Sequence, residues 1–521
     1  MTRAMDGVRV RMYRQGLGDC FLLSFPAEGG GTFSVLIDCG VLLGTEDAPQ
    51  KMQRVARSIA LETGGSADGK TKGRIDVLVG THQHWDHLSG FVQARKEFDE
   101  LVEVGEVWLA WTENPGHPLA SELRRDRSRK IAHLRSAAIR MRGIHGMGDT
   151  ATTIDTLLGF FGAQGGDGTT EDALSALSTR SDARVIYRRP GEPVFALPGT
   201  NDVRVYVLGP PEDRVMIKKS DPTRRGREVY DLQPALSLTD TFFAAVALGT
   251  ESQAAGVQLD PEAAELAFPF DRKYRLDPKA AHSYAVPSAD GVPFFFFQDR
   301  YGFDPVPQAN PSTGEEQPTP EIPIQADRVR RPGWRRIDGD WLGAAADLAL
   351  ALDSDTNNTS LALAFELGEG GPVLLFPADA QVGNWLSWSS LAWPVRPSEP
   401  DGGGKVTIDD LLERTVLYKV GHHASHNATM RAQGLEKMNS PNLVALIPVD
   451  EGMAKKRKWK MPFCSLYERL KERTRGRILR ADHGRLPFNE AAKYGLSQEQ
   501  HNQWERRTPG DDLWIDCYLD S

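Results

Sequence analysis

The chain has 521 residues, of which 26% are charged and 40% hydrophobic, a globular composition that excludes disorder, collagen-like repeats and a coiled coil as its main feature. The formal net charge of -9 makes the molecule as a whole mildly repulsive to phosphate polymers. Four cysteines without a CxxC pair exclude a disulfide framework and favour a reducing compartment. An N-terminus without a signal-peptide pattern and apolar runs too short to cross a bilayer predict a cytoplasmic protein with no membrane span.

Short apolar and alternating runs bounded by glycine turns predict many strands. In chain order these strands lie at residues 8–13, 21–25, 34–37, 75–79, 107–110, 203–208, 360–367, 373–376, 415–420, 443–448, 477–480 and 513–519. The run at residues 75–79 is continuously apolar, which is typical of a strand buried on both faces. Residues 51–61 have helical spacing, and the basic segment at residues 124–142 is also predicted to be helical. Strands with interspersed helices indicate a layered α/β or α+β fold.

The strand pattern weakens from about residue 210 to residue 340, where proline and glycine cluster. We interpret residues 210–340 as an insertion of unknown role that covers one face of the main domain. Residues 1–209 and 341–521 are then the two halves of that domain. The insertion is also the segment through which a protein partner would dock.

The strongest chemical signal follows the apolar run at residues 75–79 and consists of His82, His84, Asp86 and His87. Three imidazoles and a carboxylate are costly to bury unless something pairs with them. In an extended loop, His82 and His84 point to the same side, and Asp86 with His87 then faces a second position. Imidazole with carboxylate is the ligand set expected for zinc, with manganese or iron as alternatives.

This HxHxDH pattern at the end of a buried strand resembles the hallmark of the metallo-β-lactamase superfamily. The resemblance implies an α/β fold, a four-layer αββα sandwich, here with a large central insertion. It implies two divalent metal ions, with Asp379 as the carboxylate bridging both and His423 as the last histidine ligand. It also places Asp38 beneath the metal site.

Three further elements are similar to the soluble ComEC/Rec2-like hydrolase branch of this superfamily. They are the glycine turn at residues 16–20, the NNxS-like start of a strand at residues 357–361, and the KxxHH-like element at residues 419–425. The branch includes phosphorylcholine esterases and implies phosphoester chemistry, with His422 touching the scissile phosphate. Asp19 is either the cap of its turn or a group that orients metal ligands.

One feature departs from the superfamily pattern. Most members supply a third histidine to the first metal from a loop after the next strand, but residues 108–115 contain none. Glu113, His117 or a water molecule remain the alternatives for that position. The first metal site is therefore expected to be weaker or more open than the second.

These features predict a dinuclear metallo-hydrolase, with a phosphodiesterase or nuclease as the first interpretation. A hydroxide between the two metals would attack phosphorus, with Asp86, His422 and Asp19 as the catalytic and orienting groups. The expected substrate is an anionic phosphodiester, DNA or RNA among them, bordered by the basic runs at residues 124–142 and 455–460. The alternatives are an ester, thioester or lactone hydrolase of the same fold, and a partner-docking effector module of a multi-protein system such as a defence system.

Overall fold

The computed structural model describes residues 7–142, 148–162, 168–219, 285–286, 294–295, 344–395 and 404–520. The chain divides into two compact units, the first comprising Met1–Arg135, Thr152–Ser237 and Asp347–Ser521. The second comprises Ser136–Ala151 and Leu238–Ala346, and its strands Ala285–Val286 and Phe294–Phe295 pair antiparallel. The predicted site residues all belong to the first unit.

Short strands and helices alternate along most of the described chain. The strands are β1 (Gly7–Tyr13), β2 (Phe21–Pro26), β3 (Thr32–Ile37), β4 (Gly73–Gly80), β5 (Val102–Ala110), β6 (Arg184–Arg188), β7 (Phe195–Ala196), β8 (Val203–Val207), β9 (Ala285–Val286), β10 (Phe294–Phe295), β11 (Leu363–Leu367), β12 (Val373–Phe376), β13 (Ala392–Pro394), β14 (Lys405–Thr407), β15 (Thr415–Lys419), β16 (Val444–Ile447), β17 (Ile478–Arg480), β18 (Gly484–Arg485) and β19 (Trp514–Asp520).

The helices are α1 (Ala48–Glu62), α2 (Trp85–Leu88), α3 (Gly90–Gln93), α4 (Arg95–Leu101), α5 (Pro118–Arg142), α6 (Gly148–Leu158), α7 (Thr170–Ser178), α8 (Arg214–Ile217), α9 (Ala344–Asn357), α10 (Val382–Ser387), α11 (Ile408–Glu413), α12 (Glu451–Lys456), α13 (Cys464–Arg473), α14 (Phe488–Ala491) and α15 (Gln498–Arg507). Within the described ranges, no helix has both the length and the apolar composition needed to cross a bilayer.

Two mixed sheets form the framework of the first unit. The first has the strand order β19-β1-β2-β3-β4-β5-β6, with β3 to β6 parallel to one another. The second has the order β18-β17-β16-β15-β12-β11-β8-β7, with β12, β15, β16 and β17 parallel. Since the carboxyl ends of parallel strands share an edge, the loops after β3, β4, β12 and β15 can meet at one end of the sandwich.

The two sheets pack face to face through alternate side chains of each strand. Phe25 of β2 lies 5.7 Å from Phe365 of β11, measured between ring centroids, within a continuous apolar core. Helices α1, α3, α4 and α7 cover the outer face of the first sheet. On the outer face of the second sheet, Tyr418 contacts Trp385 of α10 at 6.4 Å between ring centroids. The layers are therefore those of the αββα sandwich that the resemblance implies.

Every strand predicted from the sequence is confirmed, and the two predicted helical segments lie within α1 and α5. Strand β6, Arg184–Arg188, was missed because an edge strand with half-buried, basic residues has no apolar run. The division of the chain at 209/210 and 340/341 stays a prediction. Residues 210–219 are described as part of the first unit, and most of the remaining insertion lies outside the described residues.

Candidate metal centre

The loops at the carboxyl ends of four strands bring the predicted site residues together. Asp38 follows β3, the motif from His82 to His87 follows β4, Asp379 follows β12, and the His422–His423 pair follows β15. These residues are almost fully buried, and His422 is the most exposed of those that follow the four strands, at 5%. Such a group of buried polar side chains needs internal partners or a ligand.

Two glycines allow the loops to approach so closely. A Cβ added at Gly18 would lie 2.6 Å from the backbone oxygen of Asp86, and one added at Gly40 would lie 2.4 Å from its carbonyl carbon. The close approach lets the Asp19 backbone N–H donate to the Asp86 carbonyl at 3.0 Å. The glycine turn found in the sequence therefore holds the motif loop in place.

The backbone is strained at the site. Nine non-glycine residues of the described ranges have positive φ, and five of them are at the centre: Asp38, Ala378, His422, His423 and Ala424. Left-handed conformations cost such residues about 1–3 kcal/mol each and persist where the surroundings impose them. Their concentration here indicates that contacts within the centre hold these loops in conformations that the backbone by itself disfavours.

The first candidate metal position is the pair His82 and His84. Their facing atoms, Nε2 of His82 and Nδ1 of His84, are 3.1 Å apart. The Thr81 hydroxyl donates to Asp38 Oδ2 at 2.6 Å, so its oxygen is left to accept from His82 Nδ1 at 3.0 Å. This arrangement keeps a lone pair on His82 Nε2, and a cation between the two nitrogens satisfies both.

The second candidate position is a ring of four ligand-type atoms. Asp86 Oδ2 lies 2.9 Å from His423 Nε2, which lies 3.8 Å from Asp379 Oδ2. That oxygen is 2.9 Å from His87 Nε2, which is 4.0 Å from Asp86 Oδ2. Ligands at tetrahedral zinc are about 3.3 Å apart, and the four distances between neighbouring atoms of the ring lie on either side of that value.

The far side of each imidazole in this ring is also engaged. His87 Nδ1 donates to Asp38 Oδ2 at 2.7 Å, and His423 Nδ1 donates to the Pro448 carbonyl at 2.7 Å. In each ring Nε2 is then the nitrogen that faces a carboxylate oxygen at 2.9 Å, and it becomes available to a metal once it gives up its proton. The sequence-based placement of Asp38 beneath the site agrees with these contacts.

Lys419 belongs to the site, although its role cannot be read from the sequence. Its ammonium group is buried, donates to Asp379 Oδ1 at 3.0 Å and to the Ala378 carbonyl at 2.9 Å, and pairs with Asp19 at 2.5 Å. Burial opposes its charge, but Asp19 and Asp379 together raise its pKa. The lysine therefore orients Asp379 and balances part of the negative charge. Its only signal in the sequence was its place at the start of the KxxHH-like element.

Asp19 lies behind the histidines of the ring. Its carboxylate oxygens are 3.8 Å from His87 Nδ1 and 3.7 Å from His423 Nδ1, on the side opposite to the converging Nε2 atoms. Asp19, His87, Asp379 and His423 each offer one ligand atom within 4.8 Å of the others. Because Lys419 pairs with Asp19, we interpret Asp19 as a group that orients the ligands, and this role stays a prediction.

Burial and the surrounding carboxylates shift the pKa values of the histidines of the centre in opposite directions. Burial lowers the pKa of His84 to about 3 and lowers that of His82 well below its ordinary value. Burial acts in the same direction on His87, but the surrounding carboxylates, Asp379 first among them, raise its pKa well above the ordinary value. A proton on His87 thus takes the place that a divalent cation would fill.

Several buried polar atoms of the centre have no hydrogen-bond partner among the described residues. They are Asp19 Oδ1, His84 Nε2, Asp86 Oδ1, Asp353 Oδ1 and His422 Nε2. Since buried polar atoms in native proteins are nearly always satisfied, this cluster of orphaned atoms fits a centre that holds ions and substrate. Asp353 on α9 was not found from the sequence, where nothing distinguishes it from other acidic helix residues.

The two protein candidates for the missing third ligand both have contacts of their own. Glu113 accepts a hydrogen bond from Thr112 and lies 3.5 Å from Arg127. The His117 ring packs against Trp111 at 4.8 Å between centroids. In the described part of the chain, neither joins His82 and His84 in a group of metal-capable side chains.

An aromatic wall borders the site, formed by Phe160, Phe161 and Trp459. The rings of Phe160 and Phe161 lie 5.3 and 5.1 Å from the His84 ring, measured between centroids. Trp459 stacks on Phe160 at 5.1 Å and is itself half-buried. Because Trp459 lies within the basic run at residues 455–460, the stack brings that run to the border of the centre.

Comparison with known protein families agrees with this geometry. Residues 14–160 match the family model described as the metallo-beta-lactamase superfamily. The match contains the HxHxDH motif, Asp19 and Asp38, and it supports that superfamily. No curated protein matches the chain.

Proposed function

We propose that this chain is a dinuclear metal-dependent hydrolase that cleaves anionic phosphodiesters. The observation that carries the proposal is the ring of Asp86, His87, Asp379 and His423 beside the converging pair His82 and His84. Fold resemblance by itself does not choose a substrate. The metals and the substrate class are therefore argued from the side chains.

The donor set fits two divalent ions, with zinc the best match to its imidazole and carboxylate ligands. His82 and His84 would hold one ion, and the four-atom ring, which includes Asp379, would hold the other. When bound, such ions supply an acidified water as the nucleophile and a Lewis acid for the phosphoryl oxygens.

His422 is the group we assign to the substrate. Its Nδ1 lies 3.3 Å from Gln381 Nε2, and the Gln381 amide oxygen accepts from Asn427 at 2.9 Å and from Ser354. Ser425 Oγ lies nearer to Nδ1, at 3.0 Å, and the buried Nε2 of His422 has no hydrogen-bond partner among the described residues. Burial lowers the pKa of His422 to about 4, so at neutral pH its imidazole is uncharged, and we assign its unpartnered Nε2, carrying the proton, to the substrate. Such a donor stabilises charge developing on a phosphoryl oxygen.

The remaining side chains hold the reactive groups in place. Asp38 accepts from His87 Nδ1, Lys419 holds Asp379 Oδ1, and the His422 backbone N–H donates to the same oxygen at 3.0 Å. Supporting contacts of this kind tune metal affinity and ligand orientation. The active site would thus be organised before substrate arrives.

The surroundings favour an anionic substrate. Lys455 pairs with Glu451, and Arg457 donates to the Leu43 carbonyl at 2.7 Å, whereas Lys456, Lys458 and Lys460 extend from the segment that carries Trp459. An aromatic face among lysines suits a single strand of nucleic acid, in which bases stack and phosphates bind cations. At the motif loop, Arg127 of α5 also donates to the Gln83 side chain.

The test combines metal analysis with hydrolysis of bis-p-nitrophenyl phosphate, single-stranded DNA and RNA. We expect up to two transition-metal ions per chain after reconstitution and metal-dependent cleavage of at least one phosphodiester. Absence of bound metal after reconstitution would refute the centre. Bound metal with inert phosphodiesters but turnover of a thioester or lactone would favour a hydrolase of another ester class.

A further inference from the structure

Helix α9 places a carboxylate against the first candidate metal position. Asp353 Oδ1 lies 3.8 Å from His84 Nε2, and its side chain is 9% exposed. Neither of these two atoms has a hydrogen-bond partner among the described residues. Two buried atoms that face each other without partners indicate an interaction completed when the centre is loaded, because His84 then carries its proton on Nε2 and the carboxylate oxygen can accept it.

The orientation of the His84 ring distinguishes its two nitrogens. Nδ1 faces His82 Nε2 at 3.1 Å, so Nε2 points away from the proposed ion and toward Asp353. Phe160 and Phe161 lie against the ring and offer no polar atom. Among the described residues, Asp353 is thus the group available to accept a hydrogen bond from a proton on Nε2.

We propose that Asp353 is the positioning residue of the His82–His84 metal position. Its carboxylate accepts the His84 Nε2–H, which fixes the tautomer with the Nδ1 lone pair directed at the ion. Because the segment after β5 supplies no third histidine, the affinity of this position depends strongly on how well two imidazoles are oriented. The inference rests on the proposed metal centre, and it adds the residue that makes the weaker position usable.

Asp353 acts through His84 and is not itself placed as a ligand. Its near oxygen lies beside Nε2, and Asp353 does not join His82 and His84 in a group of mutually close ligand atoms within the described ranges. Its other oxygen accepts from Asn357 Nδ2 at 3.2 Å, one helical turn along α9. That second contact fixes the carboxylate while leaving Oδ1 directed at the imidazole.

The test is a titration of metal-free protein with Co²⁺, followed by calorimetry and visible absorption. We expect two binding steps in the unchanged chain, and Asp353→Ala should weaken the weaker step by about 10- to 100-fold. The stronger step should be unaffected. Asp353→Asn should recover part of the affinity, because its amide oxygen still accepts the Nε2 proton. Asp355→Ala, on the same helix and paired at 3.8 Å with Lys130, is the matched control and should bind as the unchanged chain does.

The outcomes separate this inference from the proposed function. Unchanged binding in Asp353→Ala, or equal weakening of both steps, overturns the positioning role while leaving the metal centre intact. Failure of the unchanged chain to bind cobalt overturns the centre and the inference together. Melting of each metal-free variant at the temperature of the unchanged chain shows that a weakened step is not a loss of fold, and Asp353→Asn serves if the alanine variant does not fold.

Discussion

Replacing Lys419 by methionine removes the buried positive charge of the centre while keeping most of the side-chain volume. The ammonium group has three acceptors: Asp19 at 2.5 Å, Asp379 Oδ1 at 3.0 Å and the Ala378 carbonyl at 2.9 Å. Removing one partner of a buried ion pair costs about 3–5 kcal/mol, because the other charge is left uncompensated. We therefore expect metal-free Lys419→Met protein to lose about 4 kcal/mol of unfolding free energy.

Metal should reduce this cost. A divalent ion bound by Asp379 compensates the carboxylate that Lys419 otherwise balances, so the loss should be smaller in zinc-loaded protein than in metal-free protein. Urea unfolding followed by tryptophan fluorescence, with and without zinc, measures both values. Adding Asp19→Asn to Lys419→Met should restore part of the stability, because it removes the second uncompensated charge.

The control is Lys455→Met, whose lysine is largely exposed and pairs with Glu451 on the helix surface. Exposed pairs of this kind contribute about 0–1 kcal/mol. A loss for Lys419→Met no larger than that of the control would refute the charge-balancing role. An equal loss with and without zinc would show that the metal does not bind next to Asp379.

Three further predictions concern activity and pH. Asp86→Ala should lower the rate of hydrolysis by about 100-fold or more, since it removes a metal ligand and not merely a supporting contact. Its circular dichroism spectrum should be unchanged, and His483→Ala, which changes an exposed histidine, is the control that should stay active. Replacing the lysines of the basic run at residues 455–460 by serine should flatten the logarithmic salt dependence of single-strand binding by about 0.7 per lysine that contacts phosphate; an unchanged slope in a salt-series binding assay would assign the run to solvated surface. In the metal-free folded protein, His422 stays neutral down to about pH 4, whereas in the unfolded chain it takes up a proton near pH 6.5. Its contribution to the free energy of unfolding is therefore complete above pH 6.5 and is lost as the pH falls from 6.5 towards 4. His422→Gln should therefore reduce the slope of stability against pH between 4 and 6.5 by about 1.4 kcal/mol per pH unit in urea titrations, and an identical slope would contradict a neutral buried imidazole.

Local features of this protein are readable in its sequence. The apolar run that forms β4 can be recognised from sequence because a strand buried on both faces shows no alternation of apolar and polar residues. The motif from His82 to His87 follows it directly, so the strand end and four ligand candidates lie within one short stretch of chain. Neighbours in sequence must be neighbours in space, and the chemistry of such a cluster needs no tertiary information.

The second half of the centre is decided by tertiary structure. Asp379 and His423 reach the motif because β12 and β15 end at the same side of the sandwich as β3 and β4. Their proposed role could be stated beforehand only from resemblance, since a lone aspartate after a strand carries no signal of its own. The C-terminal strand β19 shows the same limit, because its pairing with β1 joins the two ends of the chain and no local pattern specifies that partner.

The sequence did not reveal Lys419 and Asp353, because their proposed roles depend on the burial of their side chains and on the atoms that those side chains face. A lysine at the end of a strand and an aspartate on a helix are ordinary surface residues until packing removes them from water. Only the assembled sandwich places the lysine between two carboxylates and the aspartate against a histidine nitrogen. The sequence by itself determines which side chains can bind a metal. The tertiary structure decides how their charges are balanced and where their nitrogens point, because charge balance and orientation depend on contacts between residues far apart in the chain.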